Sequence, residues 1–223
     1  WRVEIKTGGN AFSERVKIET VKPNKLKIDL KFDDEMLSKE SSKASLNVAW
    51  LHGAKASNLK VNVTANLMKT KTSFSKYENY IFDNPGRSFK MEDVVVYNQS
   101  TNADGYASFP VNLKLASLPP GMLKVGLFTK VFEKGGDFST GYQSKTYSPY
   151  SSYVGMHINY SFEDWEMLET GKQHKISIAT VDENGNKISR DGVKVTLYKM
   201  ERYWWYSNDD GANEYVQSGY KSK

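Results

Sequence analysis

The sequence contains no cysteine. That removes disulfide frameworks, zinc–thiolate sites, iron–sulfur clusters and cysteine nucleophiles, and leaves the redox compartment open. Its only histidines are His52, His157 and His174. None has a second histidine four residues on, so the helical spacing of paired metal ligands is missing. No run approaches the ~18–20 apolar residues of a membrane-spanning helix, so no membrane span is expected. There is no G-x-S-x-G elbow. Gly135-Gly136 lacks the lysine and the strand–helix context of a phosphate loop and reads as a hairpin turn. Arginine is scarce: Arg2, Arg15, Arg87, Arg190 and Arg202 are all there are. The net charge of +5 is therefore carried by lysines. These alternate with apolar residues, as in Lys25-Leu26-Lys27-Ile28, which places them on the wet faces of strands. Nucleic-acid readers favour arginine, so no nucleic-acid partner is expected. The sequence opens directly with Trp1-Arg2-Val3-Glu4-Ile5, with no initiator Met and no apolar targeting stretch visible in it. That start, and the ending at Gly219-Tyr220-Lys221-Ser222-Lys223, read as cuts from something longer.

What is present is enough to build cores. Of 223 residues, 39% are apolar, 13% aromatic and 26% charged. At roughly 100–150 residues per domain this is one large domain or about two small ones. The dominant signal is period two. Val16 and Ile18 alternate with Lys17 and Glu19, and Leu26, Ile28 and Leu30 with Lys27, Asp29 and Lys31. The cleanest run sets Leu59, Val61, Val63, Ala65 and Leu67 against Lys60, Asn62, Thr64 and Asn66, with Met68 breaking the pattern. Strict alternation puts one face in a core and one in water, as antiparallel sheets do. Further strands fit Ala44–Leu51, Tyr106–Leu113, Leu123–Phe132, Tyr153–Ile158, Lys175–Thr180 and Val193–Tyr198. Shorter ones fit Tyr77–Phe82 and Val94–Tyr97. Turns fall at Gly8-Gly9-Asn10, Pro119-Pro120-Gly121, Gly135-Gly136-Asp137 and Asn184-Gly185-Asn186. Helical expectations are limited to a turn or two at Asp33–Ser38 and at Phe162–Leu168.

Many short strands with Gly/Pro turns imply an all-β chain of tandem antiparallel β-sandwich modules. Two stretches read as junctions: Glu19-Thr20-Val21-Lys22-Pro23-Asn24, where Pro23 interrupts a strand pattern, and Tyr147-Ser148-Pro149-Tyr150-Ser151-Ser152. The expected organisation is the end of one module at 1–24, a whole module at 25–155, and the first part of another at 156–223. Three or four strands are thin for a closed sandwich in that last piece.

Several strings carry a resemblance. Val16-Lys17-Ile18-Glu19-Thr20-Val21-Lys22-Pro23-Asn24-Lys25-Leu26-Lys27-Ile28 resembles the module junction of bacterial alpha-2-macroglobulin-like proteins. Trp50-Leu51-His52-Gly53-Ala54-Lys55-Ala56 resembles a turn element of those proteins, with Lys55 where proline is usual. Phe82-Asp83-Asn84-Pro85, Pro120-Gly121-Met122-Leu123, Tyr153-Val154-Gly155-Met156, Asp182-Glu183-Asn184-Gly185 and Tyr203-Trp204-Trp205-Tyr206 follow in the matching order across most of the chain. The resemblance implies macroglobulin-like (fibronectin/Ig-like) β-sandwich domains of a broad-spectrum protease trap in the bacterial periplasm or at the cell surface. Its implied partners are proteases, met through the full-length protein, and neighbouring macroglobulin-like domains. The family's thioester motif, Cys-x-Glu-Gln, has no place in a cysteine-free chain. This piece is therefore expected to be non-enzymatic scaffold without a cofactor, with a bait-like segment as a further expectation.

Two stretches suit a bait, which needs backbone that unfolds into a protease cleft and side chains that many proteases accept. The first is the long polar connection after Leu67, with Lys69, Lys71, Phe74, Lys76 and Arg87, running to Ala103; connections of that length are usually functional or mobile. The second is Glu133–Ser148, rich in Gly, Ser and Tyr. The rival function is a surface module that binds carbohydrate or protein through Tyr203, Trp204, Trp205 and Tyr206, since exposed aromatics stack on sugars or anchor interfaces. The other reading of that cluster has alternate rings in a core and the rest against a neighbouring module. Asn208-Asp209-Asp210-Gly211 with Glu214 hints at calcium but lacks EF-hand spacing. Asp182-Glu183-Asn184-Gly185-Asn186 fits a hairpin turn better, because Asn-Gly suits positive φ. A Ser–His–Asp hydrolase assembled from distant positions is the third reading, because geometry rather than order defines a triad.

Overall fold

The structure, a computed structural model, describes residues 2–15, 23–39, 42–161, 167–196, 200–205 and 217–222. The chain divides into two compact units, Trp1–Ile188 and Ser189–Lys223. Among the described residues there is no α-helix, and every long element is a strand. This is the all-β architecture that the period-two pattern implies.

In the first unit, β1 (Arg2–Thr7) and β2 (Asn10–Arg15) pair antiparallel across Gly8-Gly9. A β-sandwich follows. One sheet has the order β3 (Leu26–Phe32), β5 (Ser42–Trp50), β8 (Tyr106–Val111). The other has the order β4 (Leu37–Ser38), β10 (Phe138–Ser148), β9 (Leu123–Phe132), β6 (Lys60–Lys69), β7 (Glu92–Tyr97). The alternation in β6 has a direct cause: Val61, Val63, Ala65 and Leu67 are buried, and Asn62, Thr64 and Asn66 lie on the opposite face. They meet Leu123, Val125, Leu127 and Val131 from β9, Leu46 and Val48 from β5, and Phe109 from β8 in one core. After Ser148 the chain crosses three residues and forms a separate antiparallel pair, β11 (Ser152–Ile158) with β12 (Ile176–Asp182). In the second unit, β13 (Met200–Trp205) pairs with β14 (Gln217–Ser222).

The long edge of β10 is partly closed by one side chain. The Asn24 carboxamide donates to the Thr140 carbonyl at 2.8 Å and accepts from the Thr140 N–H at 3.0 Å.

Several expectations are corrected. Asp33–Ser38 is not helical: it bends and then pairs Leu37-Ser38 with Tyr147-Ser148, while Lys145 Nζ donates to the Asp34 and Glu35 carbonyls. Tyr77–Phe82 is not a strand. A 3-10 turn at Ser75–Tyr77 leads into turns, and only Ile81 makes a β-bridge. Glu133–Ser148 is mostly β10 rather than a loop, and its Gly135-Gly136 turn is the expected hairpin connection. Strand β6 continues past Met68 to Lys69. Residues 193–196 are not strand, and residues 197–199 lie outside the described residues. So does the Val16–Ile18 strand, and so do residues 162–166 of the second helical expectation, whose Met167 and Leu168 are not helical.

Candidate functional site

The segment 70–91, between β6 and β7, does not hang free. Phe74 and Phe82 are buried, with ring centroids 4.8 Å apart and edge-on. Phe74 meets Tyr153 of β11 at 5.6 Å, again edge-on. With Met122 and Val181 these side chains form a second core, distinct from that of the sandwich. Edge-on aromatic pairs contribute about 0.5–1.5 kcal/mol beyond the area they bury. This core joins the sandwich to the β11–β12 hairpin.

Two glycines let the hairpin approach. A β-carbon on Gly155 of β11 would overlap the Phe82 ring, so no larger residue fits there without displacement. Gly185, at φ +80°, turns the β12 hairpin with its Cα against Phe74; a β-carbon would lie 2.7 Å from the ring. The Asp182 carboxylate shapes that turn by accepting from the Asn184 and Asn186 N–H groups at 2.9 and 2.8 Å. The Asn186 N–H foremost, then its side chain and the turn's other N–H groups, hold the Asp182 carboxyl below its ordinary value. This is the hairpin reading of 182–186, with its carboxylate engaged by the turn itself.

Backbone and polar contacts complete the joint. Ile81 and Met156 exchange both N–H···O bonds, at 2.8 and 3.0 Å. The His157 Nδ1–H donates to the Asn79 carbonyl at 2.9 Å, and its ring lies 5.5 Å from that of Tyr80. Beneath, the buried Thr72 hydroxyl donates to Asp83 Oδ1 at 2.6 Å and accepts from the Met122 N–H at 2.8 Å. That ties 70–91 to the loop before β9. The Ser148 hydroxyl donates to the Tyr150 carbonyl at 2.8 Å, so at 2.6 Å from Tyr153 it accepts the Tyr153 proton. Burial pushes the Tyr153 phenol up to about 12.

The residues singled out in the sequence are placed unequally. Lys69, Lys71, Lys76 and Arg87 are exposed, whereas Phe74 lies in the second core. The polar stretch 98–104 is pinned by backbone bonds between Val61 and Gln99 and between Thr101 and Leu59, and by the buried Thr101 hydroxyl. Tyr203, Trp204 and Trp205 lie on β13; Tyr206 and the Asn208–Glu214 cluster lie outside the described residues. Among the described residues no group of acidic and histidine side chains is arranged to hold a metal ion. The ring nitrogens of His157 and His174 face backbone carbonyls, of Asn79 and Glu169. Sequence reasoning did not single out Thr72, Phe82, Tyr150 or Tyr153 as a site. Yet four of the seven strings that carry the resemblance, Phe82–Pro85, Pro120–Leu123, Tyr153–Met156 and Asp182–Gly185, converge on this joint.

The fold and joint define a class: an all-β chain in which an antiparallel β-sandwich shares a second, aromatic core with the β-hairpin that follows it. Comparison with known families makes this specific. Residues 24–140 match the family "Bacterial Alpha-2-macroglobulin MG5 domain", and residues 158–223 match "Bacterial macroglobulin domain 6". The chain belongs to the bacterial alpha-2-macroglobulin family. It is 25% identical over 191 residues to an alpha-2-macroglobulin homolog of Yersinia pestis, a match covering 83% of this chain but 9% of that protein. Salmonella alpha-2-macroglobulin reacted with methylamine has the same fold, with TM-score 0.57 and 16% identity, over 100% of this chain and 15% of that one. Escherichia coli alpha-2-macroglobulin activated by porcine elastase gives TM-score 0.54 at 16% identity, over 100% of this chain and 20% of that one. The chain thus spans a small part of its relatives' length.

Proposed function

We propose that this chain is scaffold in a bacterial alpha-2-macroglobulin-like protease trap, without a catalytic step of its own. Proteases are its partners through the full-length protein, at the periplasmic or outer cell surface. Its modules are the end of one at 1–24, a whole one at 25–155 and the first part of another at 156–223, a division in keeping with family matches at 24–140 and 158–223. Its work is mechanical: to hold neighbouring modules in a fixed relation, so that a rearrangement elsewhere in the parent is passed on.

The observation that carries this reading is the burial of Phe74 and Phe82 against Tyr153, which turns the longest polar connection into a joint. A bait in the same stretch has less support. A protease must draw several consecutive residues into its cleft, and here that means pulling Thr72, Phe74 and Phe82 out of buried positions.

Native proteolysis with four proteases of different specificity, with cut sites mapped by mass spectrometry, tests the reading. Scaffold predicts that 70–104 resists all four while cuts collect elsewhere. First cuts by all four within Lys69–Ala103 overturn it and restore the bait.

A further inference from the structure

The connection between the sandwich and the β11–β12 hairpin is three residues long: Pro149-Tyr150-Ser151. So short a link between modules is where a hinge is expected, because a few loop residues can absorb the change in φ and ψ. This one is fastened from several sides. Pro149 is buried and its ring fixes φ. The Tyr150 hydroxyl accepts from Arg87 Nη1 at 2.9 Å and donates to the Pro119 carbonyl at 2.5 Å. The Tyr150 ring packs edge-on against Tyr153 with centroids 5.8 Å apart, and its carbonyl accepts from Ser148. Arg87 belongs to the turn after Phe82, and Pro119 to the loop before β9. One phenol thus gathers three segments that are far apart in sequence. The Asn84 N–H donates to the Pro120 carbonyl at 2.8 Å and ties two of those segments to each other.

We infer that Tyr150 is a latch that closes this hinge, so that the sandwich and the β11–β12 hairpin move as one rigid body. The inference stands on this geometry and holds whether or not the parent traps proteases. It places any large rearrangement of the parent at junctions other than 149–151. Tyr150→Phe isolates the hydroxyl's share of the latch, since it keeps the ring on Tyr153 and removes the bonds to Arg87 and Pro119.

The chain has no cysteine of its own, so a spin-label pair can be placed without further changes. Lys60→Cys on β6 and Val154→Cys on β11 are both at exposed positions. Pulsed electron–electron distance measurement on the labelled chain should give one narrow distribution. Tyr150→Phe should broaden it or add a second, longer distance, and should make the Ile81 and Met156 amides exchange about tenfold faster, as loss of one or two hydrogen bonds implies. A broad distribution in the otherwise unchanged chain overturns the rigid body. An unchanged distribution and exchange rate in Tyr150→Phe overturn the latch. Should that variant fail to fold, Arg87→Met, altered at an exposed side chain, carries the same test with the same two outcomes.

Discussion

At the scale of residues, the joint works because each polar group placed in it meets a partner. A buried hydroxyl without one costs about 1–3 kcal/mol. Thr72 avoids this by donating to Asp83 and accepting from Met122. Tyr153 does so through Ser148. Its phenol has a pH signature. The unfolded chain gives up that proton near the ordinary value of 10.0, the folded chain only near about 12. Between those values the folded state holds more protons, so this contribution to stability is complete below about pH 10 and is lost as pH rises toward 12. Burial raises Tyr97 and Tyr147 in the same direction. Urea midpoints measured from pH 9 to 12 should therefore fall with rising pH, and Tyr153→Phe should fall less steeply than the unaltered chain.

At the scale of elements, legibility followed the hydrophobic face. Strand β6 could be read directly because Val61, Val63, Ala65 and Leu67 all face one core. Strand β9 could be read end to end for the same reason. Strand β10 was hidden. Its positions on the sandwich side include Ser139, Gly141 and Lys145, and Gly141 is small because Ile28 of β3 crosses there, 3.3 Å from where a β-carbon would stand. A strand whose inward positions are mostly small or polar, with Tyr147 alone reaching the core, leaves no apolar period-two signal. The segment 70–91 was hidden otherwise: Phe74 stands alone among polar residues and Phe82 ends the short run Tyr80-Ile81-Phe82, and the partners that bury them include Tyr153 and Val181, more than seventy residues away. No local pattern encodes such a contact. Because the segment is a structural element despite its composition, Phe82→Ala should lower the unfolding free energy by about 3–5 kcal/mol, as truncation of a buried phenylalanine does. Urea denaturation measures the loss, and hydrogen exchange should locate part of it in β11.

For the whole molecule, order along the chain and order of dependence differ. A two-stranded pair such as β11–β12 is marginal by itself in water. It stands because Phe74, Phe82 and Met122 lend it a core from the neighbouring sandwich. The hairpin and the sandwich should accordingly lose amide protection in a single urea step. Gly155→Ala, which forces the Phe82 ring away, should split that step in two, with β11 and β12 exchanging first. Pulse-labelled exchange across a urea series distinguishes the two patterns. The sequence made the all-β character legible but not the dependence of the hairpin on the sandwich, because Gly155, Gly185 and the rings of Phe74 and Phe82 that create it carry no local pattern.

The carboxamide of Asn24, set across Thr140, bears on how such molecules coexist at high concentration. An open strand edge is a template on which a second chain can lengthen the sheet. By taking both the donor and the acceptor of Thr140, near the start of β10, a single asparagine interrupts that template. With Leu37-Ser38 already paired at the far end, an incoming strand would have to displace the asparagine to pair along the part that is left. Asn24→Ala would free the Thr140 N–H and carbonyl, and is expected to raise self-association at high concentration, read by light scattering, more than it lowers the unfolding midpoint.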